Sequence, residues 1–286
     1  MAALLEVKNL SIEFYDHELP ERVVKDFDLI LNRGDRVGIV GESGSGKSMC
    51  ALAIAGLLNR HDMSKKGEIL FDGKNLLTLK RGELRQYQGK DIAIIFQEPM
   101  TSLNPVKKIG WQVEESLRLH TKLSKEECKK KAIDMLAEVE LSNPEAVYDM
   151  YPHELSGGMR QRVMIAAAMI CEPKILIADE PTTALDVTTQ EQIIELMKQL
   201  NEKKGTAILF ISHDLSLVET LCNQVIVMKD GDIVLLHDIY ESTVQAAIEL
   251  ISLLQERGYQ IVTVSEMARA RGIQMERGVK YYSFYK

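Results

Sequence analysis

The residues best placed to do chemistry begin at Gly41, where the chain reads GESGSGKS as far as Ser48. Gly41, Gly44 and Gly46 alternate with Glu42, Ser43 and Ser45, and Lys47, Ser48 and Met49 follow, which gives the spacing GxxxxGK[ST]. Glycines let successive backbone N–H groups turn toward one anion. The lysine ammonium then reaches the outer phosphates of a nucleoside triphosphate, and the serine hydroxyl suits Mg²⁺. A glycine-rich surface turn could carry the same letters, but it would not need an apolar strand before it and an apolar helix after it. Arg36–Val40 (RVGIV) and Met49–Leu58 (MCALAIAGLL) supply both.

A second cluster closes the apolar run KILIADE, which ends on Asp179 and Glu180. Phosphoryl transfer to water needs one carboxylate to hold Mg²⁺ and another to position or deprotonate the attacking water, and Asp179 and Glu180 fit those roles in that order. Alone, the pair reads equally well as a solvated strand end. The stretch LSGGMRQR, residues 155–162, changes the balance. Ser156, Gly157 and Gly158 at a helix start offer free N–H groups at the positive end of a helix dipole, a second anion surface in the same chain.

These clusters need a scaffold, and the hydrophobic periodicity describes one. Leu4–Phe14 alternates apolar and polar residues and Val23–Leu31 follows as a second strand, so antiparallel β structure precedes the glycine loop. Residues 67–71 and 91–97 add strands. Between about 105 and 169 the pattern turns helical, with Val106–His120 and Ser124–Leu141, the latter opened by a Ser124/Glu127 capping box. Strand-like Lys174–Ala178 and Thr206–Ile211 then flank a helix over Thr188–Lys203. The alternation predicts an α/β fold with a mainly parallel sheet, helices on its faces, and a helical insert.

Composition narrows the partners. The 286 residues are 45% hydrophobic, and 35 basic against 42 acidic side chains give a net charge of −7 with no basic block, so a nucleic-acid face has no support. Cysteines at 50, 128, 171 and 222 form neither a CxxC motif nor a disulfide framework, which fits a reduced cytosolic protein. The longest apolar runs fall well short of the ~18 residues a membrane span needs, so a membrane role must come through a partner.

GESGSGKS, LSGGMRQR, ILIADEP and TTALD, in that order over residues 4 to about 233, resemble the Walker A, signature, Walker B and D-loop motifs of ATP-binding cassette ATPases. The resemblance implies a P-loop cassette with an N-terminal antiparallel β subdomain and a helical signature subdomain, using ATP and Mg²⁺. Gln97 in IFQEP is similar to the Q-loop glutamine at the metal, and His213 in FISHD to the switch histidine that meets the γ-phosphate. Asp186 closes the D-loop, and Phe14 matches the aromatic that stacks on adenine. In this family two subunits close head to tail, so Ser156 and Gly158 of one act on the nucleotide held by Lys47 of the other. The extended FQEPMTSLNP and PTTALDVTTQ resemble the oligopeptide, dipeptide and nickel importer branch. That branch implies a second ATPase subunit, identical or different, and two transmembrane permeases. An extracellular binding protein acts indirectly, and the ATPases sit on the cytoplasmic face of the membrane. Non-transport cassettes of DNA repair or chromosome structure carry a long coiled coil or tandem cassettes, and neither is present.

After about Gly231 this resemblance stops. Residues 234–286, beginning with LLHD, are similar to the end of a polysaccharide deacetylase of the chitooligosaccharide type, with His237 at the position of an active-site histidine. Ser242 and Gln245 make a capping box, and Val244, Ala247, Ile248, Ile251 and Leu254 share one helix face. A chimera joined near Lys229–Val234 accounts for the change. The resembled chemistry needs HxxxH and a paired Asp at a metal, but no two of the six histidines are four apart and no Asp-Asp pair occurs. The tail is therefore expected to be catalytically silent.

Overall fold

A computed structural model describes residues 3–15, 20–58, 60–96, 102–183 and 185–238. Strands β1 (Leu5–Phe14), β2 (Glu21–Leu31), β4 (Met63–Phe71) and β5 (Lys74–Asn75) form an antiparallel sheet in the order β2-β1-β4-β5. The second sheet contains β3 (Arg36–Gly41), β6 (Ile92–Ile95), β7 (Ile175–Asp179), β8 (Ala207–Ile211), β9 (Gln224–Lys229) and β10 (Asp232–Asp238). Its order is β10-β9-β3-β8-β7-β6, parallel except for the antiparallel β10 edge.

β7 and β8 are buried along their whole length, the pattern of parallel strands covered on both faces. Their side chains alternate between two cores. Leu176, Ala178, Ile208 and Phe210 join the helical insert, while Ile175, Ile177, Leu209 and Ile211 join the antiparallel sheet and the Lys47–Ile54 helix. A period of two along one strand thus ties both subdomains to a single sheet. The chemical residues leave that sheet at the carboxyl ends of its strands, where open parallel sheets place ligands: Gly41 ends β3, Asp179 ends β7, and His213 follows β8.

The helical insert holds the Ser124/Glu127 capping box as expected: Ser124 Oγ accepts from Glu127 N at 3.2 Å, and Glu127 Oε2 accepts from Ser124 N at 2.8 Å. Residues 106–120 differ from the single helix read in the sequence. They form two short helices, Ile109–Val113 and Glu115–His120. The first starts late because Gln112 satisfies the preceding turn, accepting from Asn104 N at 2.7 Å and donating to the Asn104 and Lys107 carbonyls. At the joint Glu114 is buried and bonded to both Tyr148 Oη and Arg118. Among the described residues no helix is long and apolar enough to cross a membrane. The four cysteines are free.

Candidate nucleotide site

The loop between β3 and the Lys47–Ile54 helix bends through Gly46, whose φ of +95° lies in the left-handed region that glycine adopts without strain. A Cβ there would fall 2.5 Å from the Val23 carbonyl of β2, so the position is also closed sterically. Glu42, Ser43 and Gly44 lie at the exposed crest, Ser45 is buried beneath it, and Met49 packs on the core. Lys47 is 6% exposed, and its ammonium donates to the Gly41 carbonyl at 2.7 Å and the Glu42 carbonyl at 2.8 Å, spanning the loop. Burial lowers its pKa, and the Glu180 and Asp179 carboxylates oppose that shift.

Ser48 Oγ donates to Asp179 Oδ1 at 3.1 Å, joining two sequence motifs 131 residues apart. Burial raises the Asp179 pKa, an effect the Ser48 hydrogen bond resists. Glu180, next in sequence, has φ of +47°, a conformation that costs a non-glycine residue about 1–3 kcal/mol and gathers at functional sites. Its N–H donates to the Ile211 carbonyl at 2.9 Å, which anchors it to the end of β8. The turn aims its carboxylate at two partners: Thr183 Oγ1 donates to Oε2 at 3.0 Å, and His213 Nδ1 lies 3.3 Å from Oε1. Thr183 is a partner that the motif reading does not assign, although its place three residues after Glu180 is a usable signal.

Ser156 caps the Gly157–Met169 helix by accepting from Met159 N at 3.3 Å. With Gly157, Gly158, Leu185, Asp186 and Thr189 it lines a concavity to which neither the glycine loop nor Asp179 and Glu180 contribute. A Cβ on Gly158 would meet Thr189 Cγ2 at 2.8 Å, so glycine lets the helix start approach its neighbour. Asp186 caps the Val187–Lys204 helix, accepting from Thr189 N at 3.0 Å and Thr189 Oγ1 at 2.8 Å, and these bonds lower its pKa. Asp186→Ala should therefore lower the melting temperature by about 2–4 °C at neutral pH. The difference should vanish as pH falls through the lowered Asp186 pKa, where the parent loses the same cap; a pH-independent difference in thermal melts would contradict the assignment.

Phe14 stands half-buried at the end of β1, with the Arg60 guanidinium carbon 5.0 Å from its ring centroid. Nothing in the sequence links these residues. Gln97 lies outside the described residues, directly after β6 and the exposed Phe96.

A family model described as ABC transporter matches residues 24–183, 160 of the 286. The chain belongs to that family. It is therefore an ATP-binding cassette that hydrolyses ATP. The oligopeptide transport ATP-binding protein OppD of Bacillus subtilis is 50% identical over 232 residues, covering 81% of this chain and 65% of the relative. The dipeptide transport ATP-binding protein DppD of Escherichia coli is 47% identical, with 81% and 71% covered. The chain thus spans about two thirds of these relatives' length. Among solved structures, a dimeric ABC cassette in a post-hydrolysis state bound to ADP and phosphate aligns with a TM-score of 0.74 and 31% identity, over 82% of this chain and 99% of that one. The cassette architecture expected from the sequence is the one observed.

Proposed function

We propose that this chain is the ATP-hydrolysing subunit of a peptide importer. It works as a head-to-tail pair beneath two transmembrane permeases on the cytoplasmic face of the membrane, with an extracellular binding protein acting only indirectly. The single observation that carries the hydrolytic reading is the convergence of Ser48, Asp179, Glu180 and His213 at the ends of β3, β7 and β8. Ser48 and Asp179 offer a hydroxyl and a carboxylate oxygen, the hard donors that Mg²⁺ prefers, so the residues fit that ion. Bound there, Mg²⁺ would offset charge on the β- and γ-phosphates. The loop N–H groups and Lys47 would hold the phosphates and Glu180 would orient a water or take its proton, with His213 beside it; Gln97, outside the described residues, is assigned to the metal by the family resemblance alone. The separateness of the two anion surfaces supports pairing: Ser156, Gly157 and Gly158 line a concavity to which Lys47 does not contribute, as expected if they act on the nucleotide of a second subunit.

The peptide names of the relatives above favour peptides over nickel, the other cargo of the resembled branch. Residues 234–286 are proposed to be a deacetylase-derived appendage without deacetylase activity. The proposed junction near Lys229–Val234 covers the end of β9, the following turn and the start of β10, whose backbone pairs with β9 as far as Asp238. His237 is in that strand, while the expected 244–254 helix face lies outside the described residues. The test is co-expression with neighbouring permease genes. The chain should co-purify with them in membranes, and deletion after Asp238 should leave ATP hydrolysis unchanged with no acetate released from acetylated chito-oligomers in Zn²⁺. Recovery with nucleic acid and no permease would overturn the importer reading. Metal-dependent acetate release lost in His237→Ala would overturn the silent tail.

A further inference from the structure

Arg60 belongs to none of the phosphate motifs, yet its guanidinium is oriented by an ion pair on a segment held against β1. Asp62 accepts from its Nε at 3.0 Å and from its Nη2 at 2.5 Å, a fork that fixes the guanidinium plane. The backbone around it is tied to the end of β1: Phe14 pairs with Met63, Tyr15 N donates to the Asp62 carbonyl at 2.8 Å, and Lys65 Nζ donates to the Leu58 carbonyl at 2.8 Å. Arg60 therefore stands over the Phe14 ring because its segment is held there.

The same strand end is in register with the phosphate loop. Ile12 pairs with Val24, and the Val23 carbonyl and Val24 side chain are the groups that close over Gly46. Phe14 lies two residues beyond Ile12, about 7 Å along the strand. Phe14 also packs against the buried core, so the guanidinium occupies a side of the ring that the core leaves open.

We propose that Arg60 is a base-clamping residue: the base of the bound nucleotide inserts between the Phe14 ring and the guanidinium that Asp62 holds flat. This rests on the nucleotide reading above and adds a specificity element to it. A planar base needs roughly 7 Å between the two flanking groups, twice a van der Waals contact. The observed 5.0 Å opens to that width by a small swing of an arm whose side chain is 55% exposed. Stacking on a ring and under a cation favours the larger purine surface, so the clamp selects purine over pyrimidine triphosphates.

Calorimetric titration of the full chain with ATP, CTP and inorganic tripolyphosphate tests the clamp. Arg60→Ala should weaken ATP binding about 5- to 10-fold and narrow the gap between ATP and CTP. Tripolyphosphate affinity should stay parental, which also serves as the folding control, and Arg60→Lys should fall between the two. Unchanged or tighter ATP binding by Arg60→Ala would overturn the clamp, since the guanidinium would then be inert or a competitor for the ring. Equal weakening of ATP and tripolyphosphate would overturn it as well. Failure of the underlying reading looks different: Lys47→Ala would then leave both ligands unaffected.

Discussion

Glu180→Gln is expected to bind ATP like the parent and to release phosphate about 10²–10⁴ times more slowly, the span that a positioned general base contributes. The amide keeps nearly the same shape and can still meet the Thr183 hydroxyl and the His213 ring, so the strained φ of +47° and the anchor to Ile211 survive. What disappears is a carboxylate able to take a proton from water. Affinity is read from equilibrium binding of ATP and turnover from phosphate release. Undiminished turnover would remove Glu180 from the mechanism.

Lys47→Ala should act one step earlier, on binding itself. The ammonium is a buried cation bridging two loop carbonyls, and its charge is the group aimed at the phosphates. A hydrogen bond to a charged partner contributes about 1.5–3 kcal/mol, so ATP affinity should drop about 10- to 150-fold, with phosphate release falling in parallel at moderate ATP. Competition against a fluorescent nucleotide measures it. Parental affinity in this variant would mean that the loop does not hold the triphosphate.

Local chemistry was legible in the sequence wherever one short segment carries both a motif and its setting. The glycine loop sits between an apolar strand and an apolar helix, and the continuous runs ILIAD and AILFI became the fully buried β7 and β8. The strand order was not legible, because placing β3 between β8 and β9 depends on contacts across more than 160 residues of chain. The break at Glu114 was hidden for a related reason: the apolar spacing of Ile109, Val113 and Leu117 runs straight through it, and the buried carboxylate is held by the distant Tyr148 as well as by the local Arg118. Arg60 over Phe14 is the same lesson at the site, since the two meet through the pairing of β1 with β4 rather than through any motif.

If a working site is built from two subunits, mixing two inactive variants should restore it. Ser156→Asp retains an N-cap for the Gly157–Met169 helix while placing negative charge where a γ-phosphate must sit. Lys47→Ala keeps an intact Ser156 surface but loses its own loop. Phosphate release is measured for each variant alone and for an equimolar mixture. Little release is expected from either variant alone and recovered release in the mixture, where one loop meets one intact partner surface. Parental activity from Ser156→Asp alone would contradict it.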